Sequence, residues 1–178
     1  MHAFLAECRK ASLSDRQLRL IESVVAEDEG WIHRFQDEDW AAAEAAYRRS
    51  AALGGDSCMA CLIDVVLRQH PGSEGIEAMT RELSRFPGDP LLLAARGTLY
   101  FRQGKGAEAL PDLRRAAELG NSDAQNNLGE LYMMGVPGAV TRDTETGIAW
   151  FRKAAAQDHR GAQRNLEIAL ITTGQPPK

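Results

Sequence analysis

Aromatic residues make up only 6% of the 178 residues, and β-branched residues nowhere form an alternating run. Strands draw on both, so their shortage argues against sheets, while the abundant alanine and leucine suit helices. Cysteine is almost missing: Cys8, Cys58 and Cys61 are too few and too oddly spaced for the disulfide framework of a small secreted domain, and they fit a reducing compartment. Positive charge is not in excess. A net charge of -4 and a pI near 5.6 provide no basic field for nucleic acid or anionic lipid, so neither is an expected partner. No apolar run reaches the ~20 residues of a membrane span. The stretch Ala3-Phe4-Leu5-Ala6 before Glu7 is too short for a signal-peptide core. The expected location is the cytoplasm, or the periplasm if a leader has been removed. What is present, 44% apolar residues, suffices for a continuous core.

Catalytic signatures are missing as well. The chain has no nucleophile elbow, phosphate-binding glycine loop or dinucleotide fingerprint, and His2, His33, His70 and His159 never stand four apart as on a zinc-binding helix. Glu27-Asp28-Glu29 and Asp37-Glu38-Asp39 are carboxylate clusters that read as solvated helix surface. The second also places negative charge where a helix macrodipole favours it. Cys58-Met59-Ala60-Cys61 permits two readings. It follows Gly54-Gly55-Asp56-Ser57 at an expected helix start, whose positive end can activate a thiol. Yet no strand precedes it, and Leu62, Ile63, Val65 and Val66 fit cysteines that serve as small packing residues. A metal site would need His70 and Cys8 to join them, and nothing in the spacing supports that. No enzyme activity, metal or cofactor is expected.

The chain does contain internal repetition. Ala124-Gln125-Asn126-Asn127-Leu128 returns as Ala162-Gln163-Arg164-Asn165-Leu166. The alanine-rich stretch ending at Gly54 is echoed by one ending at Gly120, two such periods further on. Leu67-Arg68-Gln69 with Gly72 and Glu74 reappears one period later as Phe101-Arg102-Gln103 with Gly106 and Glu108. A period of roughly 33 to 38 residues, holding two helices and a turn, defines a solenoid whose hairpins bury their apolar faces by stacking. The helix pairs fall at 15–36 with 39–53, 57–70 with 74–86, 90–103 with 106–119 and 122–134 with 144–157, and a closing helix runs over 160–172. Ser14 with Gln17 forms a capping box, Gly30 bends or divides the first segment, and Phe86-Pro87-Gly88-Asp89-Pro90 breaks the chain between pairs. Residues 1–12 are a short helix or frayed arm.

Leu93, Gly97, Tyr100, Gly104, Ala109, Leu113 and Ala116 stand at positions that resemble the tetratricopeptide repeat. Ala124, Leu128, Gly129, Tyr132, Gly135, Gly138, Val140, Asp143, Trp150, Lys153, Ala154 and Ala155 resemble the related Sel-one-like repeat. The departures are two extra loop residues, Thr146-Gly147 before the tryptophan, and Asp158 near the expected closing glycine. The resemblance implies an all-α fold, a right-handed α-α superhelix of about four hairpins. Residues 1–37 would be divergent capping helices, 38–172 the array with its closing C-terminal helix, and 173–178 a disordered tail, all in one structural domain.

It further implies a concave groove that binds a protein or peptide. Carried over by register, the groove residues are Asp64, Leu67, Arg68, Leu91, Thr98, Phe101, Arg102, Asn126, Glu130 and Met133, with Ser57, Ala60, Ala94, Asp123 and Met134 beside them. Arg68 and Arg102 occupy equivalent places and could form a ladder for carboxylates, or could simply be solvated. Phe101, Met133 and Met134 would supply contact surface or core. Trp150 is expected to pack between helices. The expected function is a noncatalytic interaction module, adaptor or regulator, with a monomer favoured. The alternatives are an inhibitor or immunity-type protein directed at one bacterial partner, a thiol redox protein using Cys58 and Cys61, and a structural assembly unit.

Overall fold

The computed structural model describes residues 14–36, 38–54 and 58–174. The expectations for the N-terminal arm, Cys8, Asp37, Ser57 and the last four residues of the tail lie outside them. Among the described residues nine helices follow one another: α1 (Asp15–Phe35), α2 (Trp40–Ala52), α3 (Cys58–Gln69), α4 (Glu74–Arg85), α5 (Pro90–Arg102), α6 (Gly106–Glu118), α7 (Ser122–Met134), α8 (Thr144–Ala155) and α9 (Arg160–Thr173). The fold is all-α. A single isolated bridge, Val136 to Val140, is the one β-type pairing among these residues. The helices form two compact units, Met1–Pro71 and Gly72–Lys178, and the division falls between α3 and α4, the helices of the second expected pair.

In the first unit, Ser14 and Gln17 make the expected capping box. α1 then runs unbroken through Gly30, and its packing explains why glycine stands there. The Tyr47 ring of α2 lies so close that a Cβ on Gly30 would sit 2.8 Å from it. Ala43, Ala46 and Tyr47 bury the inner face of α2, where the Ser23 and Ser50 hydroxyls meet at 3.1 Å. Leu62, Val65 and Val66 of α3, spaced three to four apart, bury the next face. Arg34 bridges to Asp64 at 2.6 Å, and Gln69 Nε2 donates to Glu44 at 2.6 Å.

In the second unit, each of α4 to α9 packs on its sequence neighbours, and α5 also meets α7. That nearest-neighbour pattern is the mark of a repeat array. Asp89 caps α5 through Leu91 N and Leu92 N at 2.9 and 3.0 Å, with Pro90 in the first turn, where its missing N–H costs nothing. Leu92, Leu113, Leu128 and Leu131 fill the core among Ala109, Ala116 and Ala124. α6 ends in a Schellman motif: Asn121 N donates to Ala116 O and Gly120 N to Ala117 O, with Gly120 at φ +94°. Between α5 and α6 lies a part-buried ion pair. Arg96 donates twice to Asp112, at 2.6 and 2.8 Å, and once to Thr80 at 3.2 Å. The Asp112 hydrogen bonds are the main cause that holds the Arg96 pKa above its ordinary value.

The departures from the repeat pattern now have structural accounts. The two extra loop residues are absorbed by the Val136–Val140 bridge, closed by hydrogen bonds of 2.8 and 2.9 Å in the two directions. Asp158 takes the place of the closing glycine outright. At φ +60° it adopts the left-handed conformation, and the hydrogen bonds Asp158 N to Ala155 O and His159 N to Ala154 O repeat the Schellman pattern. An aspartate tolerates that region less well than glycine. Asp158→Gly should therefore raise stability by about 0.5–1 kcal/mol, a rise in thermal midpoint of roughly 1–3 °C. Calorimetry checks it, and an unchanged or lowered midpoint would show that the position is unstrained.

Candidate functional site

The first helices of the second unit, α5, α7 and α9, are joined by side-chain amides. Asn127 Nδ2 of α7 donates to Thr98 Oγ1 of α5 at 2.8 Å. Asn165 Nδ2 of α9 donates to Asn126 Oδ1 and to Glu130 Oε1, both at 2.9 Å, and Asn126 Nδ2 donates to the same Glu130 oxygen at 2.9 Å. These bonds fix the polar part of a surface shared by three helices. Its apolar part is a pocket of about 260 Å³ lined by Glu130, Met133, Met134, Phe151, Asn165, Ile168, Ala169 and Thr172. Met134 is 60% exposed and Ile168 49%, large apolar side chains that face solvent where they border it.

Most of the residues expected to bind can be placed against this geometry. Thr98, Asn126, Glu130 and Met133 lie together on the α5–α7–α9 face, Asn126 largely buried by its amide bonds. Phe101 is half-buried and packs against the core cluster of the second unit, so it is partly core. Leu91 is exposed, and so is Arg102, which pairs with no described residue. Asp64, Leu67 and Arg68 belong to the first unit. There Asp64 is held by Arg34 and, at 3.1 Å, by Arg68, whose guanidinium also lies 5.4 Å from the centre of the Trp40 ring. Arg68 is thus neither simply solvated nor unengaged. Trp150 packs half-buried against the core, with Lys153 Nζ 3.8 Å above its ring.

Asn165 and Ile168 escaped the sequence reading, which stopped its register at the last complete pair. The signal was available, because the repeated Ala-Gln-x-Asn-Leu phrase places Asn165 at the equivalent of Asn127 and Ile168 at that of Glu130. The spacing of the histidines assigns no partner to His159. In fact Nδ1 accepts from Ala162 N at 3.0 Å and caps α9, which leaves Nε2 to donate to Asp123 at 2.9 Å. Histidine is an unusual N-cap residue, so propensity gave no hint.

Two other places hold polar groups. Arg114, Tyr132, Arg142, Asp143 and Glu145 border a depression of about 620 Å³ beside the α7–α8 loop. The Thr146 hydroxyl and amide hold the Asp143 carboxyl below its usual range, as expected of an N-cap. The depression carries two arginines and two carboxylates, so it presents no net charge to a ligand. Cys58 and Cys61 are not joined in a disulfide; Cys58 is completely buried, and that burial pushes its thiol pKa up. In a Cys8→Ser background, Cys61 should alkylate at least tenfold faster than Cys58, as burial and thiolate fraction require. A fast Cys58 with a pKa below that of ordinary cysteine would restore the redox reading. Among the described residues no three of His, Cys, Asp and Glu gather to hold a metal ion, and no helix is long and apolar enough to cross a membrane.

Helices that pack in sequence order within each unit, with closing glycines and one amide-bridged face of first helices in the second, define an α-helical repeat protein. Residues 122–159 match the Sel1 repeat family. The fold is similar to that of c5321, a protective antigen present in uropathogenic Escherichia coli strains displaying an SLR fold. The two share 26% identity with a TM-score of 0.66 over 93% of this chain, which spans 39% of that protein. MamA is similar in fold at 18% identity and a TM-score of 0.55, covering 86% of this chain and 83% of that one. No curated protein matches the sequence.

Proposed function

We propose that the chain is a noncatalytic protein-interaction module, an adaptor or regulator that holds a peptide or partner segment on the α5–α7–α9 face. The observation that carries this reading is the amide-bridged surface from Thr98 to Asn165, which ends in an open apolar pocket. Sel1-type repeats generally mediate protein–protein contact, which supports the same reading. Scaffold residues such as Gly129 and Leu128 are occupied with helix packing. Binding then falls to the exposed or half-exposed residues of the same helices.

Affinity capture with Phe101→Ala, Arg102→Glu and Glu130→Arg chains tests it. Each substitution should weaken capture of the partner about tenfold, as loss of an anchor or charge at an interface does, with thermal unfolding nearly unchanged for Arg102→Glu. Undiminished capture by all three would remove this face from consideration.

A further inference from the structure

We propose that the pocket between α7, α8 and α9 takes one apolar side chain of a bound peptide, and that Glu130 at its rim selects a lysine or arginine next to that side chain. This rests on the interaction reading above and adds the chemistry of the partner.

Size comes first. At about 260 Å³ the pocket is smaller than the ~300 Å³ at which small-molecule sites begin, so it suits a single side chain better than a metabolite. Its walls come next. Met133, Met134, Phe151 and Ile168 offer apolar surface, and the two methionines adapt to different shapes. The Thr172 hydroxyl donates to Ile168 O at 2.9 Å and Ala169 O at 3.0 Å, so its one donor is used within α9. The pocket therefore selects for apolar character rather than for a particular hydrogen bond.

Charge decides the rest. Among the residues that line the pocket, Glu130 alone is charged. Asn126 and Asn165 each donate to its Oε1 at 2.9 Å, which orients the carboxylate without neutralising it. No lysine, arginine or histidine among the described residues pairs with it. Both hydrogen bonds of Asn165 use Nδ2, which leaves its carbonyl oxygen as a further acceptor. A rim of acceptors around an apolar hole matches a ligand that brings donors and positive charge, and it repels an acidic one.

Selection of a displayed library of random short peptides against the full chain, at low salt, tests this. The enriched peptides should carry a large apolar residue adjacent to lysine or arginine. Glu130→Gln preserves the acceptor for both asparagines and should weaken these peptides about fivefold, with the difference fading at high salt. Ile168→Asp should abolish their binding while circular dichroism stays helical. Glu130→Lys should transfer enrichment to acidic peptides. Enrichment of acidic peptides by the native chain, or indifference of the enriched peptides to Glu130→Gln, would overturn the charge selection and leave the interaction reading intact. If no peptide is enriched, or if those enriched ignore both Ile168→Asp and Phe101→Ala, both fall together.

Discussion

Gly129→Val should cost about 3 kcal/mol, a fall of roughly 6–12 °C in the thermal midpoint of the whole 178-residue chain. The reason lies in how closely α7 and α8 approach. A Cβ at Gly129 would stand 2.7 Å from the Phe151 ring and 3.1 Å from the Gly147 carbonyl oxygen, and the backbone atom cannot swing aside. On the other side, a Cβ at Gly147 would meet the Gly129 carbonyl at 3.0 Å and the Met133 side chain at 2.8 Å, so the two glycines allow one close crossing. Alanine in place of glycine inside a helix ordinarily gains about 0.5–1 kcal/mol. Here the clash wins, and Gly129→Ala should lose about 1–2 kcal/mol despite its better propensity. Trimming the ring with Phe151→Leu should recover part of that loss, because the two sites touch and their effects do not add. Denaturant unfolding of the single and double variants measures all of this. A stabilised Gly129→Ala would mean that the helices are not packed through these glycines.

Arg96→Met should cost about 3 kcal/mol, and Arg96→Met with Asp112→Leu should restore most of it. Asp112 is 8% exposed at its side chain and Arg96 23%, so removal of the arginine leaves a nearly buried carboxylate that has lost both of its guanidinium bonds. An apolar pair of similar volume removes the need for compensation altogether. The pair thus serves to dictate how α5 meets α6 more than to stabilise the fold. Equal losses in the single and double variants would contradict that account.

Much of the fold was legible because helix ends are punctuated locally. Ser14, Asp89, Asn121 and Asp143 cap the helices they precede, and Gly104 and Gly120 close theirs in left-handed conformations, so the helix limits read from sequence agree closely with those observed. Gly30 was ambiguous for a physical reason. Its role is set by Tyr47, which lies in the next helix, and not by its neighbours in sequence. The division of the chain at Pro71–Gly72 and the Arg96–Asp112 pair were not legible for the same reason, since both depend on which helix faces come together.

The proposed binding face was legible in part. Register alone brought Thr98, Asn126, Glu130 and Met133 to one surface, because the repeat fixes which turns of the first helices lie side by side. It could not show that Arg68 is held by Asp64 and Trp40 while Arg102 pairs with no described residue. Nor could it show that Glu130 borders a pocket completed by α9. Leu128 and Ala154, which stand at signature positions of the repeat, are fully buried. Residues that vary between repeats, such as Glu130 with Ile168 and Met133 with Ile171, remain accessible to a ligand.

Amide hydrogen exchange of the full chain, with and without a library-selected peptide, tests this division between scaffold and binding face most directly. The account predicts new protection in α7 and α9 around Glu130, Met133, Asn165 and Ile168, and little change in α1 to α3. Protection confined to α1 to α3, or to the depression at Arg114 and Arg142, would contradict it.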